Sequence, residues 1–146
     1  MELNKRCGIT TRNVSLSFIT AEEENMVVNK VLVVDDSPAD LTNIASIISE
    51  TGCMVISATN GKEAIEKAKA EKPDIIFLDI IMPGMDGYAT CRQLSGDSET
   101  KQIPIVFVTS KNQKADRLWA QMQGGKAFVT KPYSADSIVD QLKAFR

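Results

Sequence analysis

PDIIFLDIIMPGMDG, residues 73–87, is the stretch whose reading decides the fold. Its apolar run Ile75–Leu78 is short enough for a strand buried on both faces, and it delivers one carboxylate, Asp79, to the strand's end. Met82-Pro83-Gly84 and Asp86-Gly87 then turn the chain towards a helix. A carboxylate at the edge of a core is costly unless other groups engage it. Partners for Asp79 are therefore expected elsewhere in the chain.

Working outward, the same strand-then-helix grammar repeats. Upstream, Val31–Val34 is a β-branched run ending in Asp35-Asp36. Ser37-Pro38 then has the form of an N-cap followed by proline at the first helical position, and Leu41, Ile44, Ile47 and Ile48 form an apolar helical stripe ended by Thr51-Gly52. Met54–Ile56 reads as a second strand, and Asn60-Gly61 opens a helix carrying Ala64, Ile65 and Ala68. Downstream, Tyr88, Cys91 and Leu94 fall at helical spacing, and Gly96 to Gln102 reads as a loop. Strand four is Ile105–Val108, ending at Thr109; Leu118, Trp119 and Met122 mark a fourth helix stopped by Gly124-Gly125. Ala127–Val129 is a fifth strand ending at Lys131-Pro132, and Ser134 caps a last helix with Ile138, Val139, Leu142 and Phe145 on one face. Five alternating βα units, with strands too apolar to present a wet face, predict an α/β fold with a doubly wound parallel sheet and helices on both sides.

Residues 1–29 differ. They are polar, carry the acidic run Glu22–Glu24, and alternate Val14, Leu16 and Phe18 with Asn13, Ser15 and Ser17. Two readings stand: a loose arm, with Met26 as an alternative start, or an extra strand on a sheet edge or partner chain. The domain division is thus 1–29 as an extension and 30–146 as the folded unit, with no output domain expected after the fifth helix.

Composition excludes several classes. A 146-residue chain with 43% hydrophobic residues can build one ordinary core. A net charge of −2 without a basic block argues against nucleic-acid or membrane-surface binding. With no histidine there is no Ser-His-Asp or Cys-His chemistry, and three cysteines without CxxC spacing suit a reducing compartment rather than zinc. No apolar run approaches the ~20 residues of a membrane span, and no secretory signal is visible. A cytoplasmic protein is expected.

In open parallel sheets, ligands sit beyond the carboxyl ends of the strands. Strand one ends in Asp35-Asp36, strand three in Asp79, strand four in Thr109-Ser110 and strand five in Lys131. Singly, each has a commonplace explanation: a helix cap, a hydrogen-bonded strand end, a solvated lysine. Their recurrence at the same end of four strands predicts one shared site. Three converging carboxylates repel one another and call for a cation. Hard oxygen donors without His or Cys favour Mg2+. A carboxylate beside a metal, an ammonium and a hydroxyl is equipped to attack phosphorus and form an acyl phosphate. A cis peptide at Lys131-Pro132 is a further possibility that sequence leaves open.

VLVVDDS, FLDIIMPGMDG, VFVTS and FVTKP together resemble the receiver domain of two-component response regulators, over roughly residues 30–145. The resemblance implies a flavodoxin-like five-stranded sheet in the order 2-1-3-4-5 with five helices. It implies that Asp79 accepts a phosphoryl group from a sensor histidine kinase. Asp35, Asp36, Asp79 and the backbone carbonyl of Ile81 would hold Mg2+. Thr109 and Lys131 would bind the phosphoryl group, and Phe128 would change rotamer with Thr109. The fourth helix, fifth strand and fifth helix would form the output surface for a downstream protein target. On this reading the protein is not an enzyme but a stand-alone switch, a monomer or a phosphorylation-dependent dimer; the alternative is a phosphorelay intermediate or phosphate sink.

KADRLWAQMQGGKAFVTKPY, residues 114–133, further resembles the regulators of type IV pilus (twitching motility) chemosensory systems, which would make the pilus motility machinery the target. Trp119 is its most distinctive residue, read either as core packing or as part of the output surface. Two departures from the family stand out. Ile81 is apolar where some relatives place a polar side chain near the attacking water, which predicts slow self-hydrolysis. Gly125 replaces a common alanine, which predicts a looser turn before strand five. A metal-dependent phosphatase working through an aspartyl phosphate would need a general-acid Asp at position 81, and a phosphorylation-silent scaffold would not need the intact acidic, Thr and Lys set.

Overall fold

The computed structural model describes residues 28–145. The readings placed on residues 1–27, including the Val14–Phe18 alternation and Cys7, lie outside the described residues. Val28, near the end of the extension, is buried against the core.

Five strands, β1 (Lys30–Val34), β2 (Met54–Ala58), β3 (Ile75–Leu78), β4 (Ile105–Thr109) and β5 (Ala127–Thr130), form one parallel sheet in the order β2-β1-β3-β4-β5. Between and after them run α1 (Pro38–Ser49), α2 (Gly61–Glu71), α3 (Gly87–Gly96), α4 (Lys114–Met122) and α5 (Ala135–Ala144). Strand order reverses between β1 and β3, which places the end of β3 at the switch point.

Alternation along each strand splits the apolar side chains between two cores. Leu32, Val34, Ile76, Leu78, Ile105 and Phe107 meet Ala64 and Ala68 of α2, Cys91 and Leu94 of α3, and Ala120 of α4. Val31, Val33, Ile75, Phe77, Val106, Val108 and Val129 meet Ile44 and Ile48 of α1 and Ile138 and Leu142 of α5. Residues of β1, β3 and β4 between Val31 and Thr109 are accordingly buried on both faces. The outer strands differ from the expectation of uniformly dry strands: β2 and β5 are partly exposed. Each is flanked by a strand on one side only, so the helix layers overhang it incompletely. Strand β2 also extends past Ile56 to Ala58, because Ser57 and Ala58 stay in register with Val33 and Val34.

Local chemistry sets the helix starts. The side chains of Ser37, Asn60, Asp86 and Ser134 accept from the main-chain N–H of Asp40, Glu63, Ala89 and Ser137, respectively. At the turn before β5, the positive φ of 109° belongs to Gly124. Gly125 has a different role from the expected loosening: a β-carbon there would collide with the buried ring of Phe107. Among the described residues, no helix is long and apolar enough to cross a membrane.

Candidate functional site

Sheet geometry brings the acidic strand ends together. Main-chain bonds fix the ladder at this edge: the Asp79 N–H donates to Val34 O (3.0 Å), and the Asp35 N–H to Ala58 O (3.1 Å). Asp35, Asp36 and Asp79 each present a carboxylate oxygen, and these oxygens lie within 4.8 Å of one another. Asp35 and Asp79 are buried while Asp36 is exposed. The expected convergence of the three acids is observed.

Main-chain donors orient the two buried carboxylates. Asp35 Oδ1 accepts from the Ser37 N–H at 2.9 Å. Asp79 Oδ1 accepts from the Ile80 N–H at 2.7 Å, with the Ile81 N–H further off at 3.4 Å. Each Oδ1 is thereby held by its own loop, and each Oδ2 turns to the same cation. Lys131 Nζ stands 2.9 Å from Asp35 Oδ2 and 3.2 Å from Asp79 Oδ2. The Lys131-Pro132 peptide is cis, so the possibility left open by the sequence is realised. The main chain of Lys131 is also tied to the sheet, its N–H donating to Thr109 O at 2.8 Å.

Electrostatics follow from this packing. Burial, the strongest influence, pushes the Asp35 carboxyl above the usual carboxylate range, and the nearby Asp79 charge pushes it further; the Lys131 and Ser37 hydrogen bonds pull the other way. For Lys131, burial works against the charge, but the bonds to Asp35 and Asp40 and the charges of Asp79 and Asp35 outweigh it and hold the ammonium above its ordinary range. The site carries more negative charge than its one lysine neutralises, and its oxygen-only donors suit a hard divalent cation.

Asp40 is the residue that sequence reasoning missed. Its Oδ2 lies 2.9 Å from Lys131 Nζ, as close as that of Asp35. In sequence it reads as an acidic residue in the first turn of α1, where a helix dipole accounts for it. Only the fold shows its second partner.

The remaining predicted residues lie on β4, β5, α4 and the loop after Asp79. Thr109 ends β4, fully buried, with its Oγ1 accepting from the Lys111 N–H at 3.4 Å. Two positions back on β5 from Thr130, which pairs with Thr109, Phe128 pairs with Phe107. The rings of Phe128 and Phe107 are 6.4 Å apart, and the guanidinium of Arg117 lies 5.1 Å from the Phe128 ring centre. Arg117 also donates to Thr130 Oγ1 at 3.1 Å, so one α4 residue spans the outer part of β5. Ile81 projects outward, 55% exposed. Trp119 is 47% exposed and meets Tyr88 edge-on at 6.4 Å, which answers the open reading in favour of partial exposure.

Residues 31–143 match the response regulator receiver domain. The chain belongs to that family. Among curated relatives of this receiver domain, PilH of Pseudomonas aeruginosa is 36% identical over 115 residues, covering 79% of this chain and 95% of PilH. PilG of the same organism is 35% identical, covering 79% of this chain and 85% of PilG. Both agree with the resemblance to pilus-type regulators seen in residues 114–133. Among solved structures, the chemotaxis protein CheY4 of Vibrio cholerae superposes with a TM-score of 0.77 at 26% identity, covering 82% of this chain and all of that one. The receiver fold is thus shown independently by sequence and by shape.

Proposed function

We propose that this receiver domain is a phosphorylation-driven switch in which Asp79 accepts a phosphoryl group from a sensor histidine kinase. The observation that carries the reading is the convergence of three carboxylates and one lysine at the switch point of the sheet. An Asp79 oxygen attacks the donor phosphorus; an O–P bond forms while the P–N bond of the phosphohistidine breaks, and its electron pair stays on the departing imidazole. The Ile80 N–H steadies the carboxylate as it attacks, and the Lys131 ammonium offsets charge on the phosphoryl oxygens. Asp35, Asp36, Asp79 and the Ile81 carbonyl would hold Mg2+. When bound, the metal supplies further charge compensation at the transferring group.

Thr109, buried at the end of β4, would bind the phosphoryl group, and the Thr109–Thr130 pair links it to β5. Phosphoryl contacts to Thr109 and Lys131 then favour one arrangement of Phe128 beneath Arg117, a population shift read out on α4, β5 and α5 with Trp119 exposed among them. The chain acts as acceptor and switch rather than as an enzyme. Its likeness to PilH and PilG supports pilus motility machinery as the downstream target.

Intact-protein mass after acetyl phosphate, with and without Mg2+, tests the chemistry beside Asp79→Asn. A Mg2+-dependent gain of one phosphoryl group, absent from the variant, is expected. No gain in the wild type, or an equal gain in the variant, overturns the assignment.

A further inference from the structure

The Lys131 ammonium is shared among three carboxylates, and Asp40 is the odd one. Asp35 and Asp79 are nearly enclosed at the sheet edge, with side chains 2% and 9% exposed, whereas the Asp40 side chain is 42% exposed. Asp40 and Lys131 line one open cleft of ≈ 350 Å³ together with Asn43, Ser110, Pro132 and Tyr133. An ammonium has three N–H donors. With contacts at 2.9, 2.9 and 3.2 Å to Asp35, Asp40 and Asp79, all three are engaged.

A phosphoryl group on Asp79 adds acceptor oxygens and negative charge beside this saturated lysine. The bond that passes from Asp79 to the new group accounts for one donor. A second donor must come from Asp35 or Asp40. Asp35 keeps the Ser37 N–H and would share the Mg2+, so it can yield the ammonium without being left unpaired, whereas Asp40 lies outside the acidic cluster and stays on Lys131 until water takes it up at its exposed face. Asp40 also adds its own negative charge a few ångströms from the incoming anion. Both effects act in the same direction.

We propose that Asp40 is a positioning residue that withholds Lys131 from the phosphoryl group and so weakens the site's hold on it. The proposal rests on Asp79 as the phosphoacceptor. Its consequence is a threshold: full engagement of Lys131 requires breaking the Asp40 contact, so the carboxylate at position 40 sets how completely the phosphorylated molecule switches.

The test is titration with beryllofluoride, a stable stand-in for the phosphoryl group, at saturating Mg2+. Fluorine NMR of the bound ion and Trp119 fluorescence are the readouts; Trp119 is the chain's one tryptophan. Asp40→Asn and Asp40→Ala are expected to bind about 3-fold tighter than wild type, the scale of one partly exposed charge. Asp40→Glu, which restores a carboxylate, is expected to return towards wild type. The gap between wild type and Asp40→Asn is expected to narrow as ionic strength rises. Equal or weaker binding in folded Asn and Ala variants, with folding checked by circular dichroism, overturns the proposal while leaving Asp79 in place. A wild type that binds nothing, or an Asp79→Asn variant that binds equally well, overturns the phosphoacceptor reading and this proposal with it.

Discussion

A β-carbon on Gly125 would stand 2.6 Å from Cε2 of Phe107, so the glycine is the space that the aromatic ring fills. Phe107 is fully buried between Tyr88 and Phe128, at ring separations of 5.9 and 6.4 Å, and the Ala120 carbonyl oxygen would lie only 3.0 Å from the added carbon. Gly125→Ala is therefore expected to lower stability by about 1–3 kcal/mol, the usual cost of overpacking. Adding Phe107→Leu should recover part of that loss, because a smaller side chain reopens the gap. Thermal unfolding of the two variants measures both terms, and additive losses would refute the packing explanation.

Gly87, at the start of α3, lies against the main chain of the phosphoacceptor. A β-carbon there would collide with the Asp79 carbonyl oxygen and lie 2.7 Å from Ile80 Cα, while the Gly87 N–H donates to Ile80 O at 2.8 Å. Both neighbours are backbone, so relief must move the loop that aims Asp79. Gly87→Ala should lose roughly 1–3 kcal/mol and most of its phosphorylation by acetyl phosphate. Gly96→Ala is the matched control: nothing lies within 4 Å of its added carbon, and it should be neutral or gain up to ~1 kcal/mol from helix propensity.

Ile81 presents an exposed apolar side chain two residues beyond Asp79, where it can neither accept nor direct a proton from water. Phosphorylated protein should therefore be long-lived. Ile81→Asn is expected to speed loss of the phosphoryl group on the order of 10-fold, below the ~10²–10⁴ of a true general base because an amide only orients water. The decay of the phosphorylated mass after removal of the donor measures it; an unchanged lifetime would dismiss Ile81 as the cause.

Cys91 gives a pH-dependent signature of the α3–α4 packing. Burial pushes its thiol from 9.0 up to about 11, with a small opposing pull from Ser95. Because the folded value is the higher one, the associated stability is present in full below pH 9.0 and is lost as pH rises towards 11. Alkylation of Cys91, followed by peptide mass mapping, should be negligible in the native protein at pH 8 and rapid after unfolding. Fast native alkylation at that pH would show that α3 opens against its neighbours.

Much of this molecule is local and therefore legible in sequence. Ser37-Pro38, Asn60-Gly61 and Ser134 announce helix starts because capping involves residues three apart. Strand ends at Asp35, Asp79, Thr109 and Lys131 predict a common site because parallel βα units place all carboxyl ends on one edge. The wet outer strands were less legible, since Met54 and Val55 are as apolar as central residues and only sheet order makes β2 an edge.

Sequence alone determined the α/β alternation, the acidic cluster and its attendant lysine, for each depends on residue type and on the fixed direction of parallel strands. Tertiary structure alone decided that Asp40, 91 residues from Lys131, shares its ammonium, and that Gly125 makes room for Phe107. It also decided that Trp119 faces partly outward, edge-on to Tyr88. These contacts join side chains from separate βα units. No local pattern encodes them, because their distances are set by how helices on both faces settle against a shared sheet.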